Sequence, residues 1–165
     1  MAASARASPD PRVRYRVVVI GRSSRGPFAG PIERYLVLLR VAAGDAELIE
    51  IKEARGAVGE ARREAESASL RAAAAGRIIV LDERGRSWTT ADLARHVSAL
   101  ESSGESRVSL LIGGADGTTV RLREAADETW ALSSLTLSHE LALVVTLEQL
   151  YRIEALRSGH PYHRG

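Results

Sequence analysis

Residues with the chemistry to form a ligand site are concentrated in the last third of the chain. An apolar run at residues 108–112 leads directly into Gly113-Gly114-Ala115-Asp116-Gly117, and a second run, ending at Leu132, leads into Ser133-Ser134-Leu135-Thr136-Leu137-Ser138-His139. The chain closes with Gly159-His160-Pro161-Tyr162-His163-Arg164-Gly165. Because α/β proteins build their sites from the loops that follow their strands, we expect these segments to form a binding site.

The glycine segment at residues 113–117 allows two interpretations. Its glycines permit positive φ angles and let backbone N–H groups approach a ligand closely. The pattern matches neither the phosphate loop, which ends in Lys-Ser/Thr, nor the spaced glycines of a dinucleotide site, and Asp116 disfavours a phosphate. A tight structural turn and a ligand loop are therefore both open.

The segment at residues 132–137 also has two interpretations. Leu135 and Leu137 are suited to filling the core, whereas the backbone of the whole stretch is suited to forming the wall of a heterocycle pocket. Ser138 is expected to cap a final helix, with Glu140 favourable in its first turn. The four histidines lack metal-ligand spacing, so no metal site is predicted, and His139 taken alone is more often structural.

The strands and helices that position these loops are predicted from the periodicity of apolar residues and from the glycines at which elements end. Strands are predicted at residues 15–20, 47–52, 78–81, 108–112 and 129–132, with a turn at 83–86. Helices are predicted from Pro31 to near Gly44, over residues 59–75 with Gly76 as cap, from Thr89 to Gly104, and over 118–127 and 139–158. Five strands separated by helices predict an α/β protein with a mostly parallel sheet and helices on both faces.

Composition limits the class of protein further. A chain of 165 residues with 45% apolar and 27% charged residues fits one domain, predicted over residues 14–165. Residues 1–13 are predicted to be a disordered or loosely packed extension. No apolar run is long enough for a membrane span, and the absence of cysteine fits a cytoplasmic location. Lys52 is the single lysine among 23 basic residues; genome composition is the favoured explanation of this bias, and phosphate recognition, which arginine suits, is the alternative.

Five ordered blocks resemble the RlmH family of SPOUT-class methyltransferases. They are Leu81-Asp82-Glu83-Arg84-Gly85, the block from Leu111 to Gly117, the block from Leu135 to His139, Glu148-Gln149-Leu150-Tyr151-Arg152, and Pro161-Tyr162-His163-Arg164. The resemblance implies a C-terminal trefoil knot, whereas the sequence pattern alone predicts an unknotted sheet. It also implies S-adenosyl-L-methionine as cofactor and methylation of pseudouridine N3 in 23S ribosomal RNA on the assembled ribosome.

The same resemblance implies roles for individual residues. The cofactor pocket would be lined by Leu81, Ile112, Gly113, Gly114, Gly117, Leu132, Ser133, Ser134, Leu135, Thr136 and Leu137. Catalysis would involve Arg152, Tyr162 and His163, and His139, Arg152, Tyr162, His163 and Arg164 would face the substrate. The family works as a homodimer, which the apolar C-terminal helix would join. Ser138 replaces the family's usual proline. A non-catalytic, ribosome-associated RNA-binding dimer with the same fold is the alternative.

Overall fold

The computed structural model of the chain describes residues 12–163. Its strands are β1 (Arg14–Ile20), β2 (Ala46–Ile51), β3 (Arg77–Ser87), β4 (Arg107–Ile112) and β5 (Glu128–Ala131). Its α-helices are α1 (Ala29–Ala43), α2 (Gly59–Ala73), α3 (Thr90–Ser102), α4 (Val120–Ala125) and α5 (His139–Arg157), with short 3-10 turns at Ser23–Arg25 and Pro161–His163. No helix within this part of the chain is both long and apolar enough to cross a lipid bilayer.

The strands form one sheet in the order β2-β1-β4-β3-β5, and every neighbouring pair is parallel. Side chains alternate between its two faces: Val17 and Val19 join one buried cluster, while Val18 and Ile20 join the other. The first cluster packs against α1, α3 and α5, and the second against α2 and α4. The predicted α/β fold with helices on both faces is thus confirmed.

β3 is longer than the sequence predicted, because the expected turn at residues 83–86 is part of the strand. Its pairing with β5 shifts register, so that Leu81 and Arg86 both lie opposite Trp130. Gly85 crosses the neighbouring backbone there, and a Cβ atom at this position would lie 2.6 Å from the carbonyl carbon and oxygen of Thr129. The polar and glycine residues at 83–86 are typical of a turn, but a strand with a β-bulge contains the same residue types.

Several helix boundaries differ from the prediction. α2 ends at Ala73, and Gly76, predicted as its cap, instead begins the approach to β3 at φ +72°. A side chain there would overlap the Arg107 carbonyl, which explains the glycine. α1 begins two residues before Pro31, and α4 is shorter than the predicted helix 118–127.

The predicted extension reaches the folded domain earlier than expected. Residues 1–11 lie outside the described part of the chain, but Arg12 donates to the Ala42 carbonyl at 3.1 Å. Val13 is buried, and its N–H donates to Glu101 Oε1 at 2.7 Å. Residues 12 and 13 therefore belong with the domain that was predicted to begin at residue 14.

Candidate active site

The carboxyl ends of β3, β4 and β5 and the start of α5 surround one cavity of about 770 Å³. Its predicted lining residues are Leu81, Ile112, Gly113, Gly114, Gly117, Leu132, Ser133, Leu135, Thr136, Leu137 and His139. Ser134 was predicted with them but does not line the cavity. Segments that are 20 to 50 residues apart in sequence meet here because parallel strands end at the same edge of the sheet.

The glycine segment is both a tight turn and part of the cavity wall, so the two interpretations are compatible. The Gly117 N–H donates to the Gly114 carbonyl at 2.9 Å, and Gly117 has a φ of +73°. A Cβ atom on Gly113 would lie 2.9 Å from the Gly117 carbonyl carbon, and one on Gly114 would lie 2.7 Å from Glu66 Oε2. Glycine is therefore required at residues 113 and 114 for close packing.

The segment between β5 and α5 forms the opposite wall. Leu135 is 72% exposed, so it does not fill the core, whereas Leu137 is partly buried and packs against it. The loop is shaped by hydrogen bonds: the Leu135 N–H donates to Ser133 Oγ at 2.9 Å, and Thr136 Oγ1 donates to Glu83 Oε2 at 2.5 Å. The second bond ties the loop to β3 across the cavity.

Ion pairs brace the charged side chains around the cavity. Arg62 Nε lies 2.5 Å from Asp116 Oδ2, and this hydrogen bond lowers the pKa of the Asp116 carboxyl. Asp82 Oδ2 lies 3.3 Å from Arg84 Nη1 and 3.4 Å from Arg123 Nη1. Asp116 therefore stays ionised and holds the glycine turn against α2, while Asp82 connects β3 with α4.

His139 is the first residue of α5 and lines the cavity. Its ring packs against Gly21 at the end of β1, where a Cβ atom would lie 3.0 Å from His139 Nε2. As predicted, Ser138 caps this helix, and its Oγ accepts from the Leu141 N–H at 3.3 Å. The cap and the glycine together fix the histidine at the cavity edge.

The predicted catalytic residues form a second group that does not line this cavity in the same chain. Arg152 Nη2 lies 2.6 Å from Glu148 Oε1, and its guanidinium carbon lies 4.8 Å from the centre of the Tyr162 ring. The Tyr162 hydroxyl donates to Glu148 Oε1 at 3.1 Å, and the ring packs on Tyr151 with centroids 4.6 Å apart. His163 follows in the exposed 3-10 turn, and Arg164 lies outside the described residues.

Sequence reasoning missed several residues that also line the cavity: Arg63, Asp82, Glu83, Arg84, Ala115, Asp116, Thr118, Val120, Arg123, Ser138 and Ala142. Asp82 and Glu83 directly follow the apolar part of β3, so their position was a usable signal. Arg63 and Arg123 lie on helices whose sequences give no indication of which residue faces a site. Their positions depend on how α2 and α4 pack, which the sequence pattern does not determine.

The cavity has the properties of a site for a nucleoside-sized ligand. Its volume lies within the range of about 300–1,000 Å³ that is typical of small-molecule sites. Leu81, Ile112 and Leu137 supply apolar surface, and the loops between them supply backbone donors and acceptors. The charged lining is mixed, since Asp82, Glu83 and Asp116 stand beside Arg63, Arg84 and Arg123. Asp82 and Asp116 are paired with arginines, so within residues 12–163 Glu83 is the lining carboxylate that has no arginine partner and can face a positively charged ligand.

Comparison with known proteins assigns the chain to a class. The family described as "Predicted SPOUT methyltransferase" matches residues 13–163. The ribosomal RNA large subunit methyltransferase H of Anaeromyxobacter sp. (strain Fw109-5) is 41% identical over 155 residues, 92% of this chain and 100% of that protein. The protein of the same name from Methylobacterium sp. (strain 4-46) is 38% identical over 160 residues, 93% of this chain and 99% of that protein.

A solved structure agrees with this class at the level of the fold. The probable methyltransferase from Bordetella pertussis Tohama I superposes with a TM-score of 0.53 at 14% identity, covering 87% of this chain and 94% of the other. The chain is a methyltransferase of the SPOUT class, and family membership implies the C-terminal trefoil knot. Within that class it belongs to the family whose members are named ribosomal RNA large subunit methyltransferase H, as the motif blocks predicted.

Proposed function

We propose that the protein transfers a methyl group from S-adenosyl-L-methionine to N3 of a pseudouridine in 23S ribosomal RNA, on the assembled ribosome in the cytoplasm. The observation that carries the proposal is the convergence of Leu81, Gly113 and Leu135 on one cavity. The names of the relatives support the large-subunit target. The base and its reactive atom are inferred from the sequence resemblance.

The residues of the cavity fit this cofactor. Leu81, Ile112 and Leu137 offer an apolar slot for an adenine ring, and the backbone edges of residues 132–137 offer hydrogen-bond partners for its polar atoms. Glu83 complements the cationic sulfonium, whereas Asp82 is already paired with Arg84 and Arg123. When bound, S-adenosyl-L-methionine supplies a methyl group that is already electrophilic, so the protein chiefly has to align the acceptor.

The second group of residues is assigned to the acceptor base. The N3 atom of the base must lose its proton before it offers a lone pair, and a nearby cation favours the anion that results. Arg152 supplies such a cation, and its contacts with Glu148 and Tyr162 hold the guanidinium in one orientation. In this proposal Arg152, Tyr162 and His163 orient the base, and His139 and Arg164 contact the RNA.

The separation between the cavity and the residues assigned to the acceptor base suggests a dimer. Arg152, Tyr162 and His163 do not line the cavity of their own chain, which supports a second subunit that brings its own C-terminal tail (residues 148–163) to the cavity. Apolar surface is also left uncovered near the cavity: Leu141 in the first turn of α5 is 37% exposed, and Leu135 in the loop before that helix is 72% exposed. We therefore propose a homodimer that is joined through α5 and has two composite sites.

The test is to incubate the protein with tritium-labelled S-adenosyl-L-methionine and to offer ribosomes, free 23S RNA and transfer RNA separately. We expect label at N3 of a single pseudouridine, with assembled ribosomes as the best acceptor. Label only in transfer RNA, or at another atom, contradicts the proposed substrate. Absence of cofactor binding at hundreds of micromolar by calorimetry contradicts the proposed reaction.

A matched pair of substitutions distinguishes an enzyme from a non-catalytic ribosome-binding dimer. Gly113→Trp fills the cavity and should abolish both cofactor binding and transfer. Gly30→Trp introduces the same side chain at an exposed position in α1, where a Cβ atom meets nothing within 4 Å, and should leave both intact. Melting curves of both variants establish that they fold. A protein that binds ribosomes equally well with either substitution, and never transfers methyl, fits the non-catalytic alternative.

A further inference from the structure

A three-layered stack of side chains lies beside β3, outside the cavity lining. The guanidinium carbon of Arg86 lies 3.7 Å from the centre of the Trp88 ring. Trp88 in turn stacks on His96, with ring centroids 4.8 Å apart and planes 29° apart. We call Arg86, Trp88 and His96 the Arg86 stack. Its outer layer is exposed and its inner layers are partly buried.

The base of the Arg86 stack is held rigidly by Glu128. Its carboxylate lies 2.9 Å from His96 Nε2, accepts from Trp130 Nε1 at 2.7 Å, and pairs with Arg77 Nε at 2.8 Å. Burial opposes ionisation of Glu128, but these hydrogen bonds outweigh it and lower the pKa of the carboxyl. The Glu128 carboxylate is therefore fully paired within the protein, and its contacts hold the rings of His96 and Trp88 in place.

The outer layer of the Arg86 stack is a cation without a hydrogen-bonded acceptor. Among residues 12–163, no hydrogen bond or ion pair engages the Arg86 guanidinium, whereas the nearby Arg77 and Arg95 are paired with Glu128 and Asp92. After the hydrogen bond from Thr89 and the pairing with Arg95, the charge of Arg86 also lowers the pKa of the Asp92 carboxyl, without contact between the two groups. Stacking on Trp88 covers one face and leaves the N–H edge free. A guanidinium held this way loses little conformational entropy when it binds a phosphate, and its fork of donors matches two phosphate oxygens.

The position of the Arg86 stack relates it to the cavity. Arg84 lines the cavity, and its side chain is 67% exposed. Arg86 follows two residues later on the same strand, where the pairing with β5 resumes after the register shift. A nucleic-acid strand that delivers one base into the cavity would therefore pass its neighbouring backbone over Arg86.

We propose that the Arg86 stack is an RNA contact, in which the Arg86 guanidinium binds a phosphate of the strand that flanks the target nucleotide. The proposal rests on the proposed function, because it assigns the surface by which the same cavity receives its RNA. Trp88 and His96 position the arginine and do not touch the reacting atoms.

The experiment compares Arg86→Ala with Arg71→Ala, which removes the same charge from an exposed position on α2. We expect Arg86→Ala to raise the KM for ribosomes about tenfold and to lower the slope of log affinity against log salt by about one. The kcat at saturating ribosomes and the calorimetric affinity for S-adenosylmethionine should stay unchanged. Arg71→Ala should behave as the unsubstituted protein in every measurement.

Arg86→Gln keeps a planar head group over Trp88 without the charge, and serves as a second variant if Arg86→Ala melts early. Equal KM values and salt slopes for the Arg86 and Arg71 variants overturn the proposal. Weaker ribosome binding with an unchanged salt slope also overturns it, because that result indicates a contact with a protein. If the unsubstituted protein transfers no methyl group, the proposed function fails, while ribosome-binding curves of the same variants still decide the role of Arg86.

Discussion

At the scale of single residues, a buried polar network ties β1 to α5 and α3. The Tyr15 hydroxyl donates to Glu154 Oε1 at 2.5 Å, and Arg157 Nη1 donates to the same carboxylate at 2.7 Å. Arg157 also pairs with Glu101, which accepts from the Val13 N–H. Each buried charge in this network thus has an opposite charge or a donor beside it, as burial requires.

Tyr15 gives this network a measurable pH dependence. Burial first, and then the neighbouring Glu154 carboxylate, raise the pKa of the Tyr15 hydroxyl well above its usual value of 10.0. Above about pH 10 the unfolded chain releases this proton and the folded chain retains it, so the free energy of unfolding should fall by about 1.4 kcal/mol per pH unit from this group. Below that pH the contribution is complete and constant.

The comparison is between the unsubstituted protein and Tyr15→Phe, by urea denaturation from pH 8 to pH 11. Burial likewise raises the pKa of Tyr162, so both proteins should lose stability at high pH. Below about pH 10 the two slopes should agree, and above it the slope for Tyr15→Phe should be shallower by about 1.4 kcal/mol per pH unit. Parallel slopes would show that Tyr15 ionises equally in both states.

At the scale of secondary-structure elements, the crossing of β3 over β5 joins the cavity to the Arg86 stack. The register shift opposite Trp130 lets residues 82–85 leave the regular ladder, and the strand then resumes at Arg86. Gly85 makes this possible, because only a residue without a Cβ atom fits against the Thr129 backbone. The bulge therefore sets both the cavity edge at Glu83 and the direction of Arg86.

Gly85→Ala should accordingly destabilise the protein by about 3 kcal/mol, because the added methyl group overlaps the β5 backbone. Chemical denaturation measures the change. Gly30→Ala is the control: its Cβ atom meets nothing, and alanine in the helix should stabilise the protein by up to about 1 kcal/mol. Similar denaturation midpoints for the two variants would contradict the prediction, because they would show that the β5 backbone moves to accommodate the added methyl group at little cost.

These elements also show what sequence can and cannot supply. Apolar runs predicted all five strands, Ser138 caps α5 as expected, and Thr89, where a helix was predicted to begin, caps α3. The turn assigned to residues 83–86 was wrong, because a bulged strand and a turn require the same residue types. Arg63 and Arg123 were not predicted to line the cavity, because their positions depend on how α2 and α4 pack against the sheet. The motif blocks, by contrast, identified the family, whose topology no periodicity would indicate.

At the scale of the whole molecule, the proposed composite site makes a prediction about mixed dimers. Gly113→Trp destroys the cavity, and Arg152→Ala removes the cation of the tail, so each variant alone should be inactive. In a mixed dimer, the intact cavity of one subunit meets the intact tail of the other. After random exchange of subunits, about a quarter of the original activity should return, because half of the dimers are mixed and each has one complete site.

Analytical ultracentrifugation has to show dimers of both variants before they are mixed, and exchange is driven by brief dilution. Recovery near a quarter identifies sites that are shared between subunits. No recovery, despite proven exchange, contradicts the composite site and indicates that each tail serves its own chain. A monomeric protein at micromolar concentration would contradict the dimer itself.

The order of the cavity walls along the chain has a consequence for biosynthesis. The walls follow β3, β4 and β5 in turn, and the last lining residue, Ala142, lies in the first turn of α5. A nascent polypeptide consequently has no complete pocket until translation has passed residue 142, however early β1 and β2 begin to fold. The capacity to capture a methyl donor is therefore acquired only after all five strands of the sheet have been made.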